Sequence, residues 1–203
     1  MASAPAIALR FQRAELEHKA DLSAAGMACL LLAAGPRELV TALQASSDPR
    51  DAVYALAMML PHRQAVWWAC LGLRLLPDLA ARPAELAAVE VAEAWVQSVS
   101  QSDAERAGVL ADACDLGKAA GWTAMAAYWS GSSLAPRGQQ AVPPAPHLPG
   151  IAARTALLLL AYEPALAGRV RLADLLAIGV DLMHGDAGRA AQTTVRARLS
   201  GGG

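Results

Sequence analysis

Pro36, Pro49, Pro61, Pro77 and Pro83 fall six to sixteen residues apart in an alanine- and leucine-rich stretch, and this punctuation constrains the fold more than any other feature. Proline has no amide hydrogen and its ring collides with the preceding turn, so it is accepted in the first turn of a helix and breaks an interior. Each of the five therefore starts or ends a helix. Pro36 opens a helix to about Ala45, with Glu38 in the first turn where the helix dipole favours an acid. The run Ser46-Ser47-Asp48-Pro49 starts the next, over 49–60, with Asp48 as its cap. Pro61 ends that helix and opens 62–76, which Pro77 closes, and Pro83 begins 83–98. Ser102 or Asp103 caps 104–116, and Gly117 separates it from 119–129.

Composition agrees with a helical reading. Hydrophobic residues make up 55% of the 203, enough for a large core, while aromatics stand at 4%. Alanine and leucine favour helices, and no stretch of useful length alternates apolar with polar as a half-buried strand does. The expected fold is all-α: one multi-helix domain over 36–188, carrying a proline-rich arm at 131–149 and two C-terminal helices, 151–162 and 170–184. Residues 1–35 read as a partly helical N-terminal segment and 189–203 as a flexible tail. PRELVTALQASSDPRDA and PAELAAVEVAEAWVQSVSQSDAERA both run from Pro-x-Glu-Leu into a serine-rich cap with Asp. The echo fits two related three-helix units, 36–76 and 83–129, in a solenoid-like stack, or the compositional likeness of any two alanine-rich helices.

The formal net charge of −1 and pI near 6.4 give no global field to draw nucleic acid or an anionic membrane, so neither is expected as a partner. The longest apolar runs, 27–34 and 155–162, are too short to span a bilayer, which argues against membrane insertion. The N-terminal residues show no export signal. Cys29, Cys70 and Cys114 are odd in number and lie in apolar helical stretches, as expected of unpaired, largely buried thiols in the cytoplasm.

Chemistry-bearing residues gather around LPHRQAVWWAC at 60–70. His62 and Arg63 fall in a first helical turn, either as a solvated helix start or as a basic pair that grips a carboxylate or phosphate together with free amides. Cys70 lies two turns on, about 12 Å by helical rise, too far for a Cys–His couple. Trp67 and Trp68 point about 100° apart, so they meet different walls. Trp122 and Trp129 share a side with Met125 and read as a core stripe that Trp95 joins. Pro143, Pro144 and Pro146 favour an extended arm, expected to fold back and bury proline rings against Trp67, Trp68 or Trp129. Asp181, His184 and Asp186 resemble metal ligands, but His184-Gly185 is also what a helix end asks for, and no metal-binding motif supports them. Ser130-Gly131-Ser132-Ser133 lacks the order of a nucleophile elbow, and Gly117-Lys118 lacks the rest of a phosphate loop. No metal or cofactor is expected. The candidate contact surface is His62, Arg63, Trp67, Trp68, Trp129, Ser130, Pro144 and His147.

LPHRQAVWWAC, AEAWV at 92–96, AAYWSGSSLAP at 126–136 and VPPAPHLPG at 142–150, in that order, resemble a family of bacterial helical proteins associated with type VI secretion gene clusters. The resemblance covers about 46–185 and implies a setting without an activity. The expectation is a non-enzymatic accessory or adaptor protein that binds another protein, such as a secretion-system component. The alternative is an enzyme or a small-anion-binding regulator with a groove near His62, Arg63, Trp129 and Ser130.

Overall fold

The computed structural model describes residues 7–46, 48–135, 138–166 and 168–200; Ser47, Pro136 and the outermost tail residues, 201–203, named in the readings above, lie outside them. These form eleven α-helices: α1 Arg13–Lys19, α2 Ala24–Leu32, α3 Pro36–Gln44, α4 Arg50–Met59, α5 His62–Leu73, α6 Pro83–Ser98, α7 Gln101–Ala113, α8 Ala119–Tyr128, α9 Leu148–Ala161, α10 Leu172–Met183 and α11 Arg189–Ser200. No strand occurs among the described residues, so the all-α expectation holds. Pro36 and Pro83 each sit in a first turn, and Pro61, extended at φ −53° and ψ 145°, turns the chain between α4 and α5.

Three boundaries differ from the sequence reading. α7 is capped by Ser100, not by Ser102 or Asp103: the Ser100 hydroxyl accepts the Asp103 amide at 3.1 Å. Hydroxyls of Ser98 and Ser100 in turn donate to the Asp103 carboxylate and hold it below the usual carboxylate range. α5 stops at Leu73, before Pro77, because the Leu75 and Leu76 amides bond only three residues back and tighten the chain into a turn. Residues 189–200, read as part of a frayed tail, form α11. It is held by polar contacts that apolar periodicity does not register: the Gln192 amide donates to Leu71 O at 2.7 Å and Arg198 meets Asp174 at 2.7 Å.

The two suggested three-helix units pack differently. In the second, α6, α7 and α8 each contact both of the others; in the first, α3 packs on α4 while α4 and α5 are not packed flank to flank. Instead α9 lies across α4, α5 and α8 and joins the units. Every residue from Asp51 to Met59 on α4 is buried, and α5 buries Ala65, Val66 and the run from Trp68 to Leu73. Two glycines permit close approaches in this region of the core. A methyl group at Gly150 would lie 2.6 Å from Ala57 O, and one at Gly179 would lie 2.5 Å from the Trp68 ring. Trp68 is fully buried and its indole N–H donates to Leu175 O at 2.7 Å.

Arginines tie helix ends to neighbouring helices. Arg13 donates to Leu30 O and Ala33 O at the end of α2, and Arg154 to Ala20 O at the end of α1. Arg37 donates to Met183 O of α10 at 3.0 Å, Arg63 to Val96 O of α6 at 2.6 Å, and Arg196 to Arg74 O after α5 at 2.8 Å. Each satisfies a carbonyl that the helix leaves open and places a cation at the negative end of its dipole.

All three cysteines are unpaired, but only Cys70 is buried; Cys29 and Cys114 are half-buried. Cys29 rides on α2, which leaves Leu31 and Leu32 exposed, and Cys114 caps the end of α7 with its thiol toward Ala84 O. Native protein treated with a thiol reagent is expected to label at Cys29 and Cys114, with Cys70 reacting only on unfolding; Cys70 labelling at the same rate would contradict this packing. Trp68→Ala is expected to lower stability by about 3–5 kcal/mol and Gly179→Ala by about 1–3 kcal/mol in urea unfolding. Trp95→Phe, which removes a buried indole N–H that has no hydrogen-bond partner among the described residues, should cost far less than Trp68→Phe.

Candidate functional site

α5 and α6 leave a groove of about 490 Å³ between them. Arg63, Gln64 and Trp67 come from α5 at spacing i, i+1, i+4, and Glu93, Val96 and Gln97 come from α6 at i, i+3, i+4, so each helix presents one stripe. The connection from α10 to α11 closes one end with Asp186 and Ala187, joined by Arg189, the first residue of α11; Leu182 and Ile7 add apolar surface.

Trp67 is the aromatic element of this groove. It is half-buried, its indole N–H donates to Ala187 O at 2.9 Å, and the Arg189 guanidinium lies 4.9 Å from its ring centroid. Such an exposed cation–π contact contributes about 0.5–1 kcal/mol and holds both side chains in place. Arg63 uses Nε on Val96 O, and Glu93 is gripped at both oxygens by Arg74, at 2.9 and 2.6 Å. Among the described residues, no Ser, Cys or His lines the groove.

His62, one residue before Arg63, belongs to a different cluster. Its Nε2 lies 2.6 Å from Arg10 Nη1, which also donates to Pro146 O at 2.9 Å; His62 Nε2 is itself 3.0 Å from that carbonyl. Burial and the Arg10 charge push the His62 pKa below its ordinary value. The neutral ring then accepts from Arg10, and one guanidinium joins the N-terminal segment, the start of α5 and the end of the arm. His147, which precedes α9, places Nδ1 3.5 Å from Glu15 on α1. The Arg10 amide donates to Met59 O at 2.7 Å and completes this latch.

The eight residues of the sequence-derived contact surface are thus dispersed. Arg63 and Trp67 share the groove, Trp68 is core, and His62 and His147 hold the latch. Trp129 and Trp122 are both half-buried and meet edge to face at 6.2 Å, so the stripe expected in the core is only partly covered. Ser130 donates back to Ala126 O at 2.7 Å, and Pro144 is half-buried on the arm. The tryptophans of α5 place their indole N–H groups on other segments, Trp67 on the α10–α11 connection and Trp68 on α10, and not on the arm. The arm is held through Pro146 O and by the Leu134 amide donating to Val142 O at 2.8 Å. Gly185 has φ +94° after His184, which makes His184-Gly185 a helix end, and Asp181 accepts the Ala191 amide of α11 at 3.1 Å. Among the described residues no group of three His, Cys, Asp or Glu is placed to hold a metal. Sequence reasoning missed Gln64, Glu93, Gln97 and Arg189, and weighed Asp186 only as a metal ligand. The shared face of 63, 64 and 67 was readable as helical spacing, whereas Arg189 was hidden by the reading of its segment as a tail.

The latch makes a pH-dependent contribution. Because the folded His62 pKa lies below the ordinary 6.5, the unfolded chain takes up that proton first as pH falls. The stabilisation is complete above about 6.5 and is lost as pH falls through that value toward the lower folded one. Urea midpoints should therefore decline below pH 6.5 in wild-type protein, and His62→Gln, which keeps an acceptor without titrating, should decline less; equal slopes would refute a neutral His62.

A family model described as a family of unknown function, DUF6931, matches residues 39–183, from α3 through α10. That description carries no activity. Neither a search of curated proteins nor a search of solved structures finds a match.

Proposed function

We propose that this chain, which belongs to the DUF6931 family of unknown function, is a non-enzymatic helical adaptor of the cytoplasm that grips another protein through the α5–α6 groove. The observation that carries this reading is Trp67, half-exposed and already fixed by Ala187 O and Arg189. A rigid aromatic ring surrounded by Gln64, Gln97 and charged side chains has the anatomy of an interface hot spot, an apolar centre inside a polar rim. Because the ring is held before the partner arrives, little side-chain entropy is lost on binding. The resemblance of the four sequence stretches supplies the setting, and the proposed partner is a component of a bacterial type VI secretion apparatus.

An enzymatic use of the groove is not favoured by any observation. Its lining offers no nucleophile beside a base, and Ser130 is bonded to its own helix.

A photo-crosslinking residue in place of Gln97, introduced in the source cell, should trap one dominant partner identifiable by mass spectrometry. Trp67→Ala should reduce that capture at least about tenfold, the typical penalty for a hot-spot aromatic, while far-ultraviolet circular dichroism stays helical. A folded Trp67→Ala protein that captures the same partner undiminished would refute the groove as the contact surface.

A further inference from the structure

The charges around the groove are unequally committed. Among the described arginines, Arg189 alone lacks an oxygen acceptor; its guanidinium lies over the face of Trp67. The others donate to carbonyls or pair with carboxylates, as Arg37 does with Met183 O, Arg74 with Glu93 and Arg198 with Asp174. Arg63 spends only Nε, on Val96 O, and both its Nη groups are left without an acceptor among the described residues. On the acidic side, Glu93 is neutralised by Arg74 from outside the groove. Two uncommitted guanidinium groups therefore face one uncommitted carboxylate, that of Asp186.

The placement of these groups has a pattern. Arg63 is one helical turn from Trp67 on α5, and Arg189 lies over the Trp67 ring, so the aromatic surface is flanked by cations from two separate elements. A guanidinium presents paired donors that match the two oxygens of a carboxylate. In a chain where charged residues are 17% of the total and nearly all arginines already hold an oxygen, this concentration of unused donors points to a ligand that brings acceptors with it.

Resting on the reading of the groove as a protein-binding surface, we propose that its occupant is an acidic segment of the partner chain: an apolar side chain seated on Trp67, with a carboxylate on either side meeting Arg63 and Arg189. Charge complementarity selects this occupant over a basic one, which Arg63 and Arg189 repel, and over a neutral one, which leaves their donors unused.

Three fluorescein-labelled peptides, acetylated and amidated at their ends and identical except that a central leucine is flanked by Glu, Gln or Lys, test the proposal by fluorescence anisotropy. The Glu peptide should bind at least about tenfold more tightly than the Gln peptide, with the Lys peptide weakest, and the gap should narrow as salt rises from about 50 to about 300 mM. Arg189→Glu, which puts an acid in the first turn of α11 where the helix dipole favours it, should weaken the Glu peptide severalfold. Arg63→Glu with Arg189→Glu, confirmed folded by cooperative unfolding, should reverse the order of the Glu and Lys peptides. Equal binding of the Glu and Gln peptides, tighter binding of the Lys peptide to wild type, or no binding of the Glu peptide overturns the acidic-segment proposal. The groove itself is judged separately by the effect of Trp67→Ala on partner capture in the cell, so the two can fail independently.

Discussion

Trp68 lies with its ring against the backbone of α10, where Gly179 leaves room that any side chain would fill, and its indole N–H is satisfied by Leu175 O. This contact sets both the distance and the rotation of α5 against α10. Rotation decides what the neighbouring residue can do. With Trp68 directed into the core, Trp67 is turned by about 100° onto the wall facing the α10–α11 connection. There it meets Ala187 O and Arg189, and the groove opens beside it. The site is thus the outward consequence of a core contact made one residue later.

The same pair shows what could be read from the sequence. That two adjacent tryptophans on a helix need two different walls follows from helical geometry, and so do the helix starts at Pro36 and Pro83, which depend only on the chemistry of proline. Which wall each ring meets depends on segments more than a hundred residues away, and nothing local specifies it. The arm was the nearest apolar candidate in the sequence; α10 took the place because Gly179 admits a ring at backbone distance. His62 and Arg63 illustrate the same limit. As neighbours in a first turn they read as one basic pair, but Arg10 claims the first for the latch while the second reaches Val96 O and the groove.

The segment shared with the family, 39–183, contains both long walls of the groove, from α5 and α6, together with Leu182. Ile7, Gly185, Asp186, Ala187 and Arg189 close it from outside that segment. The scaffold and the aromatic side chain therefore lie in the common part, while Arg189 comes from the first turn of α11 and the carboxylate of Asp186 from the α10–α11 connection. Changes confined to that connection would alter the charge of the groove and leave the packing of Trp68 against α10 undisturbed, because the two depend on different residues.

The arginines at helix ends have a consequence for the angles between helices. Five of them, Arg13, Arg37, Arg63, Arg154 and Arg196, hold carbonyls of other segments, and the chain has only two lysines, Lys19 and Lys118. A guanidinium carries its N–H donors in a rigid planar fork, whereas an ammonium is a point charge that turns freely on its stem. Joints of this kind fix direction as well as distance, so a lysine in place of any of the five would keep a cation near the helix end and loosen the angle at which the two segments meet.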